Sequence, residues 1–136
     1  MTLIPKKQKF RKSQRRRVRG KATRGNSVFF GEFGLQSLET GYLKTKQIEA
    51  GRKALAHFVK RGGKIWMRGC ADKPYTERAA ETRMGGGKGA PVDYLLPVRT
   101  GQIIYEIAGV SQKDAEEGFR LVMFKLPLKC RMVKRV

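Results

Sequence analysis

Val92-Asp93-Tyr94-Leu95-Leu96-Pro97-Val98-Arg99-Thr100-Gly101-Gln102-Ile103-Ile104-Tyr105-Glu106-Ile107-Ala108 reads as two β-strands around a turn. Val92 to Val98 and Gln102 to Ala108 are rich in β-branched and aromatic residues, and Arg99-Thr100-Gly101 has the form of a hairpin turn with glycine at the special position. Just downstream, Ser111 opens a helix. Asp114, three residues on, resembles a capping box with Asp in place of Glu, and Ala115, Phe119, Val122 and Met123 supply the apolar stripe. Leu126-Pro127 stops that helix, and Leu128 to Val133 forms a last strand. Upstream, Ile65-Trp66-Met67-Arg68 is a short strand.

Before it, Thr45 to Arg61 is a helix with Thr45 as N-cap and Glu49 early, where negative charge suits the dipole. Ile48, Leu55, Phe58 and Val59 form its apolar stripe, widened by Ala50 and Ala54. Lys46, Arg52, Lys53, Lys60 and Arg61 occupy the other faces, and Gly62-Gly63 ends it. Val28 to Phe33, aromatic and β-favouring, reads as the first strand. The order β-α-β-loop-β-β-α-β predicts an α+β two-layer sandwich, mainly antiparallel, with two helices on one face of the sheet. At 136 residues the chain is one domain with an appended tail: a basic arm over residues 1–26 and a single body over 27–136.

The arm dictates the class of partner. No acidic side chain precedes Glu32, and the same stretch holds eleven cations: Lys6, Lys7, Lys9, Arg11, Lys12, Arg15, Arg16, Arg17, Arg19, Lys21 and Arg24. That is more than half of a formal net charge of +20. So dense a line of charge repels itself and requires a polyanion, and nucleic-acid phosphate is the commonest. A membrane surface would need an amphipathic helix or a lipid signal besides, and the arm offers few apolar side chains. Phe10, its only aromatic, either stacks on an unpaired base or anchors the arm to the body. The start has no apolar face and contains Pro5, which argues against an organelle transit peptide.

A second feature is the segment 72–91, expected as one long loop. It contains Arg78, Arg83-Met84-Gly85-Gly86-Gly87-Lys88-Gly89, in which glycines expose backbone N–H groups and Arg83 and Lys88 bracket them with charge. A structureless stretch of that length inside a compact domain is uncommon unless it is functional. Lys88-Gly89 lacks the Ser or Thr of a phosphate-binding P-loop. Gly85-x-Gly87-x-x-Ala90 is followed by Pro91 and a strand, where a dinucleotide fingerprint needs a helix.

Catalytic signals are thin. His57 reads as a helix-surface or edge-of-core residue. Cys70 and Cys130, 60 residues apart, read as reduced packing residues that with one histidine make no zinc site. Glu77 and Glu81 read as partners in local salt bridges. No catalytic residue, metal, cofactor, membrane or small-molecule substrate is expected.

Beyond these readings, several motifs occur in order along nearly the whole chain. They are Leu3-Ile4-Pro5-Lys6 with Lys9-Phe10-Arg11-Lys12, Phe30-Gly31-Glu32-Phe33-Gly34-Leu35, Gln47-Ile48-Glu49-Ala50, Gly63-Lys64-Ile65-Trp66, Asp72-Lys73-Pro74-Tyr75-Thr76, Arg83-Met84-Gly85 with Gly87-Lys88-Gly89, Tyr105-Glu106-Ile107-Ala108-Gly109-Val110 and Lys125-Leu126-Pro127-Leu128-Lys129. In these the chain resembles the large-subunit ribosomal protein family numbered sixteen, found in bacteria and organelles. The resemblance implies an α+β sandwich that binds large-subunit rRNA, sits beside neighbouring large-subunit proteins, joins late in assembly and approaches tRNA in the A and P site region, on a cytoplasmic or an organelle ribosome. It assigns the arm with Arg52 and Lys53 to rRNA, the loop residues Arg78, Arg83, Met84, Gly85, Gly86, Gly87, Lys88 and Gly89 to the vicinity of tRNA, and Arg83 to a hydroxylation site. The chain departs from the family at Gly69-Cys70-Ala71, at Ala90 to Tyr94, at Gly86 (usually Lys) and at Gly51 (usually Ala). The same charge would also suit a free histone-like compactor of nucleic acid, which would hold random DNA duplex as well as folded rRNA.

Overall fold

The computed structural model describes residues 4–60 and 62–136. The first three arm residues and Arg61, assigned above to the helix end, lie outside the described residues. Among the described residues there are seven strands and two helices: β1 (Phe33–Ser37), β2 (Gly41–Lys44), α1 (Thr45–Phe58), β3 (Lys64–Met67), β4 (Lys73–Glu77), β5 (Ala90–Val98), β6 (Ile103–Ala108), α2 (Gln112–Met123) and β7 (Cys130–Lys134). All strand pairs are antiparallel, and the α+β sandwich expected from the sequence is the fold observed.

The strands divide into two sheets, a four-stranded one ordered β3-β6-β1-β7 and a three-stranded one ordered β2-β5-β4. Here a detail of the sequence reading fails. β5 and β6 flank Arg99-Thr100-Gly101 but do not pair: β5 lies between β2 and β4, and β6 between β1 and β3. The turn itself exists, with Gln102 N donating to Arg99 O at 3.1 Å. It is a corner from one sheet to the other, held because Gly101 N donates to Ser37 O at 2.7 Å. Turn chemistry sets a local reversal, whereas partner choice is settled by which distant edge offers hydrogen bonds and a matching apolar face.

The first strand also lies further along than expected. Residues 28–32 are not a strand, and β1 begins at Phe33. The N–H groups of Phe29, Phe30 and Gly31 are taken by a side chain described below. The segment expected as a loop over 72–91 is mostly a hairpin: β4 and β5 pair from Lys73 opposite Leu95 to Glu77 opposite Ala90, leaving 78–89 irregular.

One core joins both sheets and both helices, with Leu35, Leu43, Ile48, Leu55, Leu96, Val98, Tyr105, Ile107, Phe119 and Val122 among its buried residues. α1 packs on α2, and α2 reaches β1 and β7. α1 starts one residue before its expected cap has a chance to act. Thr45 Oγ1 donates instead to Asp93 Oδ1 at 2.7 Å, and Lys44 is the N-cap, its N–H donating to Gln47 Oε1 at 2.9 Å. Glu49 lies beyond the first turn. The helix ends at Phe58, where Lys60, not a glycine, takes the left-handed conformation with φ 48°. Ser111 is the N-cap of α2 as expected, accepting from Asp114 N at 3.2 Å.

Gly51 is buried on α1 rather than solvent-exposed. A Cβ there would lie 2.6 Å from the Tyr105 hydroxyl oxygen and 3.2 Å from Val122 Cγ1. That hydroxyl donates to Ile48 O at 2.6 Å in the core. Alanine would gain about 1 kcal/mol of helix propensity but must displace the hydroxyl or the helix. Gly51→Ala is therefore expected to destabilise the chain by a net ~1–3 kcal/mol, read from urea denaturation. In a Tyr105→Phe background the same substitution should cost markedly less, because the clashing oxygen is gone.

Candidate nucleic-acid interface

From Ile4 to Asn26 the arm forms neither helix nor strand. Its self-repelling charge gives it no reason to fold on itself. The body holds it through its main chain and one amide side chain. Gln8 Nε2 donates to Asp72 O at 2.7 Å, which places the start of the arm beside the root of β4. Tyr42 of β2 donates its hydroxyl to Arg16 O, and Lys73 of β4 reaches the same carbonyl at 3.4 Å. Further on, Ala22 N donates to Thr100 O at 2.9 Å, and Ile103 N donates to Gly25 O at 2.8 Å. The arm thus runs along the three-stranded sheet and crosses the corner to the four-stranded one. Because its main chain is what the body grips, all eleven arm cations remain exposed. Among the described residues only Lys12 of these spends its side chain internally, donating to Lys88 O at 2.7 Å.

Between the arm and the β2-β5 surface lies a cleft of about 550 Å3. Arg16, Arg17, Arg19, Arg24, Lys73 and Arg99 line it, with Tyr42, Thr23 and Gln102, and none of its lining residues is acidic. Guanidinium groups offer planar, charge-assisted donors to phosphate oxygens. A cleft so composed suits a phosphate backbone and disfavours a cationic ligand, since every charge it presents has the same sign.

The β4–β5 hairpin forms the second part. Gly85, Gly86 and Gly87 have φ of 104°, 75° and 85°, a run of positive values that side chains with a Cβ rarely adopt. Met84 at the tip is 96% exposed, and Arg78 and Arg83 are exposed as well. Lys88 is not directed wholly outward: its ammonium donates to Ser13 O while its carbonyl accepts from Lys12. Arm and hairpin are thereby tied together at the hairpin's root, and the tip is left clear.

The other expected cations sit differently. Arg52 of α1 is bound by Glu49 through two hydrogen bonds, of 3.0 and 2.6 Å, and the pair holds the Glu49 carboxyl below its ordinary pKa. Lys53 is exposed. Phe10 is 78% exposed, so it is not docked on the body. His57 lies on the exposed face of α1. Cys70 is exposed rather than packed, and Cys130 is half-buried with its thiol pushed up to about 11, by burial first and Glu39 second. Glu77 and Glu81 form no salt bridge among the described residues, which corrects that expectation: both stand in solvent at the hairpin, away from a fixed cation. No group of three His, Cys, Asp or Glu among the described residues is placed to hold a metal, and no described helix is long and apolar enough to cross a membrane.

Sequence reasoning missed Glu106 and Arg68. Glu106 is fully buried in β6, on the sheet face opposite the helices. Its carboxylate accepts three successive backbone N–H groups, from Phe29 (3.2 Å), Phe30 (2.6 Å) and Gly31 (2.8 Å), and pairs with Arg68. Arg68 also lies over the Phe30 ring, 5.0 Å from its centroid. This knot fixes the direction in which the arm leaves the body. The available signal was a lone carboxylate inside an otherwise apolar strand, which must find partners when buried.

The chain is similar to known proteins along most of its length. A family profile described as ribosomal protein L16p/L10e matches residues 5–133. A protein from Heliobacterium modesticaldum (strain ATCC 51547 / Ice1), named large ribosomal subunit protein uL16, is 51% identical over 133 residues, covering 98% of this chain and 92% of that one.

Proposed function

The chain belongs to the ribosomal protein L16p/L10e family, and from that membership and the interface geometry we propose that it is a structural constituent of the large ribosomal subunit. It binds large-subunit rRNA through the arm and the basic cleft, contacts neighbouring subunit proteins through its remaining surface, and supports late assembly in the cytoplasmic ribosome. The hairpin tip approaches tRNA in the A and P site region. The observation that carries this reading is the mode of arm docking: the body grips the main chain and leaves the line of cations facing out. A neutral or basic partner would make no use of that arrangement, whereas a phosphate backbone meets it along its length. Arg83, exposed at the tip, is accessible to the hydroxylation that the family resemblance implies.

Sedimentation of a tagged copy through a salt-containing gradient tests the proposal. Recovery with large subunits is expected, and recovery only at the top of the gradient would refute it. Equal affinity for random DNA duplex and for rRNA fragments would favour a histone-like role instead. For the tip, Arg83→Ala is expected to weaken RNA engagement by about 1–3 kcal/mol and to lower the salt slope by roughly one. Unchanged crosslinking of the tip to RNA in that variant would mean that the hairpin is passive.

A further inference from the structure

A second, smaller cavity lies beneath the arm where it crosses the hairpin root. Its volume is about 110 Å3, and Ser13, Arg15, Tyr42, Lys73, Thr76 and Lys88 contribute its polar lining. It shares Tyr42 and Lys73 with the large basic cleft. Three features set it apart from a chance gap. Ser13 Oγ is buried there and has no partner among the described residues. Each lysine ammonium has donors left over: Lys88 gives one to Ser13 O, Lys73 gives two, to Tyr42 Oη (3.0 Å) and Arg16 O (3.4 Å), out of three apiece. No lining residue is acidic.

A buried hydroxyl without a partner is costly, and Ser13 Oγ is one. Water would satisfy the hydroxyl but would not neutralise three cations. The size admits several waters, since one needs only about 10–15 Å3 measured this way, and equally a single tetrahedral oxyanion. We propose that this cavity is a binding site for one phosphate-type oxyanion, and that its occupant clamps the arm to the root of the hairpin. Two sources share that chemistry, free inorganic phosphate and a backbone phosphodiester of bound RNA. The inference deepens the RNA-binding reading above, but its first test requires no RNA.

Backbone amide exchange of residues 12–17 is followed in the full-length chain, in inorganic phosphate and in chloride at equal ionic strength. At a phosphate concentration about ten times its Kd, exchange should slow about tenfold. Ser13→Ala should abolish that slowing while exchange in the β6 core stays unchanged. In chloride alone Ser13→Ala should be neutral or slightly protective, since it removes a buried donor that has no partner; a merely structural serine would show the opposite. A second arm uses an RNA oligonucleotide and its methylphosphonate counterpart. Protection by the charged oligonucleotide but by neither inorganic phosphate nor the uncharged analogue assigns the site to the RNA backbone, provided that Ser13→Ala removes it. Equal exchange in phosphate and chloride, together with RNA protection that Ser13→Ala leaves intact, overturns the proposal. Phosphate protection in a chain that fails to sediment with large subunits would separate this site from the ribosomal role.

Discussion

Replacing Glu106 by alanine is expected to destabilise the chain by about 3–5 kcal/mol, the usual cost of removing one member of a buried charge pair. Two penalties combine. Arg68, largely buried, loses its counter-charge, and the N–H groups of Phe29, Phe30 and Gly31 lose their acceptor. Glu106→Gln keeps the size and one carbonyl acceptor, so it should cost less, though still more than an exposed Glu→Gln change. The two variants differ from wild type in pH dependence as well. Burial pushes the Glu106 pKa up, but the Gly31 N–H, Arg68 and the Phe29 and Phe30 N–H groups together pull it further down, and the net shift is downward. A carboxylate with a depressed folded pKa contributes stability that is fully present above its unfolded pKa, about 4.3 for Glu. That contribution is lost as pH falls through the lower, folded value. Urea denaturation from neutral pH to pH ~3 should therefore show wild type and Glu106→Gln converging below about pH 4. A constant gap across that range would show that the carboxylate's charge is not what holds the knot. Because the knot sets the direction of the arm, Glu106→Ala should also loosen residues 28–31 before the sheet melts, visible as early amide exchange there.

Neutralising Arg15, Arg16, Arg17 and Arg19 to glutamine is the second large effect, this time on binding. Each phosphate contact contributes a slope of about 0.7–0.9 to the dependence of log affinity on log salt. Four lost contacts should lower the slope by about three, and at physiological salt reduce rRNA affinity by roughly two to three orders of magnitude. Stability should hardly change, since among the described residues none of the four guanidinium groups bonds within the chain; the body grips Arg16 by its carbonyl. Filter binding across a salt series, with denaturation as control, distinguishes the outcomes. A drop in affinity with an unaltered salt slope would mean that the arginines shape the arm rather than meet phosphates.

How much of this could be read from the chain depends on the range of the interactions involved. The stripe Ala115, Phe119 and Val122 behind Ser111 is a local pattern, and α2 lies where it points. The displaced start of β1 has the opposite origin. Val28 to Phe30 has strand propensity, but a carboxylate 76 residues away captures the Phe30 N–H and its neighbours, so no ladder forms there. The same holds for Thr45, drawn from its capping role by Asp93, 48 residues away. The hairpin expected at 99–101 became a corner because β5 found β2 and β4 rather than β6.

From the amino-acid order alone came the segregation of charge into an arm and a glycine-rich loop, the two amphipathic helices, the α+β class and the expectation of a polyanionic partner. All of these follow from composition and short-range periodicity, which act before any long-range contact forms. Only the folded chain decided that the arm is gripped chiefly by its main chain with its cations outward, that Lys12, Ser13 and Lys88 tie it to the hairpin, and that Glu106 steers it. Those arrangements pair atoms far apart in sequence, and hydrogen-bond partners at such separation are chosen by the packing of the whole core, not by the residues beside them.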